Sequence, residues 1–225
     1  MHDQPEFVQT PVMEQSSVTA DGVIDTFLVL LIGIGPKIAL VPFLQITAPL
    51  DPATTQRVAR KMLATAATVA VALILLGEVL RSLLHFEVGS LSIAGGVILL
   101  VLAVGMVIGQ GQSGSHLTEG KNPMQLAQVP LAVPYLLNPV GIVGLVTISA
   151  EARSLRVLAA EIAILVFVLL LDLVVFRWAS RVGRTLNEDR MLVVEKVFGF
   201  LLAAVAVQLV LDGLASVGVI PSITH

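Results

Sequence analysis

The sequence predicts an all-α fold: a polytopic membrane bundle of six transmembrane helices, built as two inverted three-helix repeats with broken first and fourth spans. Three observations lead there. The chain is 56% apolar and only 13% charged, with a mean hydropathy of +0.94, where a soluble domain carries about 25% charged residues. Six segments reach the roughly 20 apolar residues that a span needs: Val23–Ala48, Met62–Leu84, Gly89–Gly109, Gln128–Ala150, Val157–Trp178 and Leu192–Ser216. Prolines interrupt the first and fourth of them, at Gly35-Pro36 and Asn138-Pro139, in corresponding places of the two halves.

Taken in order, residues 1–22 read as a polar N-terminal tail. Met1–Asp21 holds no Lys or Arg, so it lacks the basic region that opens a signal peptide. Residues 23–109 form the first repeat. Inside it Pro49–Lys61, with Asp51-Pro52 followed by Arg57, Arg60 and Lys61, reads as a polar loop. Residues 110–127, rich in Gly, Ser and Gln, link the repeats; 128–216 form the second repeat, and 217–225 a short C-terminal tail. The spans are apolar all round, so helical periodicity adds little.

Basic residues set the orientation. Arg57, Arg60, Lys61, Lys121, Arg177, Arg181, Arg184 and Arg190 fall on one side, against Arg81, Arg153 and Arg156 on the other. The basic side is expected in the cytoplasm and both termini outside. Three spans per half is an odd number, so the second half runs inverted. Short internal similarities agree: Ile32–Pro36 with Leu136–Pro139, and Ala94–Val101 with Phe198–Val205, which matches Gly95 to Gly199.

Several function classes drop out. A net charge of -3 argues against a nucleic-acid partner. The absence of cysteine excludes disulfides, thiolate metal sites and cysteine nucleophiles. His2, His85, His116 and His225 lie outside or at the edges of the spans, which disfavours a transition-metal site. No phosphate-binding loop is present, so ATP is not expected to drive the protein directly. Ser90 and His85 are too loosely placed for a hydrolase pair. No cofactor and no enzymatic reaction are expected.

The breaks carry the positive argument. A proline inside a span removes a backbone donor, and hydrocarbon offers the freed carbonyls no partner. Matched interruptions in two halves point to a solute site at the midplane. Half-helix N-termini would present N–H groups to a carboxylate, half-helix C-termini would offer carbonyls to an ammonium or a cation, and the Asn138 amide both donates and accepts. A zwitterionic amino acid fits that arrangement; a simple kink that lets helices cross is the plainer alternative. Gly35, Pro36, Lys37, Asn138, Pro139, Gly141 and Gln208 are therefore the candidate solute-binding residues.

Lys37 lies deep in a span, where an ionised lysine costs about 2.5–3.5 kcal/mol. It calls for a counter-charge, a cavity or local carbonyls. Asp172 and Glu78 are the candidate partners and the candidate ion-coupling groups. Glu161, Glu195 and Asp212 lie near helix ends, where headgroup water is expected. Gly95-Gly96 and the run Gly105-Met-Val-Ile-Gly109 read as close helix packing; the same face would also suit a homodimer.

From Gly35 to Thr47 (GPKIALVPFLQIT) the chain resembles the MarC/SnatA family of six-span membrane proteins. The resemblance continues through Arg57 and Ala59, Ser92–Val97, Val129–Pro134, Val197–Ala203 and Gln208, and covers about residues 23–214. The family has Asn-Pro in the first break and Gly-Pro in the second, and the two are exchanged here. Gly105 also stands where the family often carries a basic or polar residue. The resemblance implies a bacterial inner-membrane protein grouped with amino-acid exporter-like transporters, some linked to small neutral amino acids. The expected function is secondary transport of such a solute, with a proton or cation as coupling partner and the lipid bilayer as surroundings. A non-transporting scaffold or regulatory protein, and a small cation carrier, stand as alternatives.

Overall fold

The computed structural model describes residues 20–108, 122–151, 154–182 and 188–221. Most of the expected tail (1–19), most of the linker (110–121) and the final residues 222–225 lie outside these, as do Gly109 of the packing run and Lys121, Arg153 and Arg184 of the charge argument. The described residues form α1 (Ala20–Gly33), α2 (Pro36–Thr47), α3 (Pro52–Leu84), α4 (Val88–Ile108), the short α5 (Pro123–Leu126), an irregularly wound segment (Ala127–Leu136), α6 (Pro139–Glu151), α7 (Leu155–Val182) and α8 (Glu188–Ser216).

Four of these, α3, α4, α7 and α8, are long and apolar enough to cross a membrane. The helix α1, at 14 residues, rises only about 21 Å, short of the roughly 30 Å of a hydrocarbon core. It needs α2 to complete a crossing.

Two expected boundaries are corrected. The stretch Pro49–Lys61 is not a loop throughout, because α3 begins at Pro52. Asp51 is its N-cap, its Oδ2 accepting from the amides of Ala53 and Thr54 at 3.0 Å each, and Pro52 takes the first helical position, where its missing N–H costs nothing. Bonds from Thr54, led by its side chain, hold the Asp51 carboxyl below the usual carboxylate range. The second correction falls in the fourth span, where residues 127–136 do not form a regular helix. Val129 and Val133 are extended, each directly before a proline, because a residue preceding proline is pushed out of the helical region.

One core cluster joins α1, α2, α3, the wound segment, α6 and α7, through residues such as Leu30, Phe43, Met62, Leu131, Leu145 and Phe176. Another joins α2, α4 and α8 through Ile38, Leu99, Ala103, Met106, Leu202 and Ala206. The helices α4 and α8 run antiparallel: Gly89 approaches Gly213 and Ser216, Gly96 approaches Ala206 and Val210, and Gly199 approaches Ala103 and Met106. Small residues let the two backbones come close, the usual device between helices in lipid. Gly95 and Gly96 thus pack as expected. Gly105 does not: a Cβ there would meet nothing within 4 Å. Leu75, Val101, Phe167 and Phe200 are exposed on the outer faces of the four long helices, as lipid-facing side chains must be.

Candidate functional site

Both breaks fall at the prolines, and they meet. The helix α1 closes with Ile34 N–H donating to the Leu30 carbonyl at 2.6 Å. Gly35 is extended, and Pro36 opens α2. A side chain at Gly35 would place its Cβ 2.6 Å from the Leu31 carbonyl oxygen, so only glycine fits. In the other half the wound segment ends as Leu137 N–H reaches the Ala132 carbonyl at 2.8 Å, and α6 starts at Pro139. Ile34 and Leu137 then pair as an isolated antiparallel bridge. The backbones of Gly33 and Gly141 are in contact, so a Cβ on either would enter the other.

Asn138 fastens this crossing. Its backbone N–H donates to the Gly33 carbonyl at 3.1 Å, and its Nδ2 donates to the Ile32 carbonyl at 3.1 Å. Its Oδ1 accepts from the Gly141 amide at 3.1 Å, capping α6. The carbonyls freed by the first break are therefore satisfied by the second. Pro139 and Gly141 are buried beside it, and Pro139 lies against Gly95 of α4.

The remaining sequence candidates are scattered. Lys37 is exposed at the first turn of α2 and forms no ion pair among the described residues. Neither the Lys37–Asp172 nor the Lys37–Glu78 pair exists. Glu78 instead holds Arg81 one turn along α3, with contacts of 2.7 and 2.8 Å. Gln208 is half-buried on α8 and donates to Asp212 Oδ1 at 2.8 Å.

Asp172 stands apart. It sits in the buried stripe of α7 formed by Leu165, Val168, Phe176 and Ala179, a spacing of three and four that marks one helix face. One turn along, the Phe176 ring meets Phe43 of α2 edge-on at 5.0 Å, so this face looks onto α2. Asp172 is 0% exposed. Neither carboxylate oxygen has a hydrogen-bond partner among the described residues.

Sequence reasoning misplaced two acids. Glu161 and Glu195, expected in headgroup water, are only 7% and 4% exposed. Glu195 Oε2 accepts from Gln45 Nε2 of α2 at 3.0 Å. A signal existed: Glu195 shares a helical register with Gly199, Leu202 and Ala206, and Glu161 with Leu165, Val168 and Asp172, all of them buried. No group of three metal-ligating side chains occurs among the described residues.

The profile described as MarC family integral membrane protein matches residues 21–217. The UPF0056 membrane protein MJ1677 of Methanocaldococcus jannaschii is 24% identical over 184 residues, covering 80% of this chain and 90% of its own. The UPF0056 membrane protein YvbG of Bacillus subtilis is 24% identical, covering 81% and 88%. The UPF0056 inner membrane protein YhgN of Escherichia coli is 26% identical, covering 76% and 85%. No solved structure matches.

Proposed function

Because the chain belongs to the MarC family of integral membrane proteins, we propose that it is a secondary transporter, an exporter or exchanger, for a small neutral amino acid or similarly small polar metabolite. The observation that carries this reading is the meeting of two broken spans inside the bundle, Ile34 against Leu137. A bilayer protein keeps non-helical backbone at depth only where protein or a solute path surrounds it, and paired breaks of this kind flank the solute site in inverted-repeat carriers. The antiparallel fit of α4 on α8 supports two inverted three-span repeats. The E. coli relative's name supports an inner-membrane location, and the basic loops support termini on the outer side.

In this mechanism the Asn138 crossing is the fulcrum on which the repeats rock. The solute lies beside it, its carboxylate toward Lys37 and the first turn of α2, with Gly35 and Pro36 leaving the backbone open there. Pro139 and Gly141 set the opposing wall, and Gln208 on α8 is its polar edge. Asp172 is the coupling group. An ionised carboxylate without partners is too costly to keep in this interior, so it must take a proton, a cation or an ammonium. Glu78, engaged by Arg81, is left out of that role. No chemical step on the solute is involved.

The test is thermal unfolding of the purified protein with amino acids and simple cations, followed by counterflow in liposomes. A ligand at 100 times its Kd stabilises by about 2.7 kcal/mol. Stabilisation by one small neutral amino acid, matched by its counterflow, is the expected result. Stabilisation by cations alone, or no counterflow of any amino acid, overturns the reading.

A further inference from the structure

A second feature lies between α3 and α7 and is independent of the transport reading. The basic ends of α3 and α7 run side by side and antiparallel. A small recess of mixed character is walled by Thr55, Gln56 and Arg60 of α3 and by Phe176, Arg177 and Ser180 of α7. It shares Arg60 and Leu173 with a groove of about 250 Å³, open to the outside, whose floor and sides are Leu63, Ala67, Val166 and Leu169. One end thus carries two guanidinium groups, and beyond Arg60 the other is lined by apolar side chains alone.

The two arginines are exposed and their guanidinium groups meet no acidic partner among the described residues. No acid lines either compartment. Two unpaired guanidiniums on one recess repel each other unless an anion lies between them. Guanidinium matches phosphate oxygens in a bidentate fork. Arg57, Lys61 and Arg181 extend the same basic end, and such basic clefts between spans at the cytoplasmic surface suit anionic headgroups.

We propose that this cleft binds one anionic phospholipid, its phosphate held by Arg60 and Arg177 and one acyl chain lying in the groove between α3 and α7. A free phosphate would use the arginines but leave the groove unused, and an apolar partner helix would use the groove but not the charge. Only a lipid of this class answers both halves.

The test is thermal unfolding of the full chain in neutral detergent, titrated separately with phosphatidylglycerol, phosphatidylcholine and inorganic phosphate. Phosphatidylglycerol should stabilise at a lower concentration than phosphatidylcholine, and inorganic phosphate should have little effect. Arg60→Gln and Arg177→Gln should each raise the half-saturating phosphatidylglycerol concentration about fivefold, the worth of one basic residue at an anionic headgroup. The double variant should lose the preference. Ala67→Phe should weaken phosphatidylglycerol by filling the groove with both arginines intact, while Arg156→Gln, at the other end of α7, should leave it unchanged. Equal response to the two lipids, retention of the preference in the double variant, or full stabilisation by inorganic phosphate overturns the proposal.

Discussion

Asn138 and Asp172 are both polar, both within spans and both hidden, at 2% and 0% exposure, yet their surroundings are opposite. Asn138 donates from backbone and side chain and accepts on its side-chain oxygen, tying α1 to α6. Asp172 finds no hydrogen-bond partner for either oxygen among the described residues. Burying a polar group is tolerable when its bonds are made and costly when they are not. The first residue thus behaves as a fastener of the fold, whereas the second carries a cost that structure alone does not repay. That contrast is why the transport reading puts the fulcrum at one and the coupling group at the other.

The contrast can be broken from the structural side first. Gly141→Val should give the largest effect, beyond the about 1–3 kcal/mol of ordinary overpacking, because the atoms in its way are the Gly33 backbone. Loss of monodisperse protein in detergent is expected; unaltered thermal unfolding would show the crossing to be loose. Asn138→Ala comes next. It strands the Ile32 carbonyl and the Gly141 amide, at about 1–3 kcal/mol each, read as a lowered unfolding temperature.

Asp172 should respond in the opposite sense. Asp172→Leu is expected to raise stability by about 1–3 kcal/mol by removing an unsatisfied buried group, while abolishing coupled transport. A drop in stability would mean that Asp172 has a structural partner after all. The smallest effect belongs to Asp51, at the edge of α3. Its carboxyl is held low in the folded protein, so its capping contribution is complete above the unfolded carboxylate pKa and fades as pH falls through the lower folded value. Asp51→Ala should reduce the unfolding temperature slightly at neutral pH and less in acid. An equal loss at both pH values would remove ionisation from the explanation.

The same contrast marks what a sequence can reveal. Gly35-Pro36 and Asn138-Pro139 located both breaks because proline acts through its own ring and missing N–H, locally and without reference to partners. That Asn138 spends its amide nitrogen on Ile32 was not legible, since the partner lies 106 positions away. The wound segment was half-visible in Val129-Pro130 and Val133-Pro134, whose local chemistry forbids a regular helix. The early start of α3 was visible too, in the Asp51-Pro52 cap. Burial of Glu195 and Glu161 was hidden for a different reason. In helices apolar on every side, the register that Glu195 shares with Gly199 and Glu161 with Asp172 is a weak signal, and the packing of α8 on α4 and of α7 on α2 decides which face turns inward.

The most direct test of the account is uptake of a labelled small neutral amino acid, alanine first, into liposomes holding the parent protein or Asp172→Asn, across a series of pH values. The account predicts saturable, pH-dependent uptake by the parent. It predicts that the variant, folded at least as stably, loses that pH dependence. A variant that keeps the parent's pH profile would contradict the role given to Asp172, and a parent that moves no amino acid at any pH would contradict transport itself.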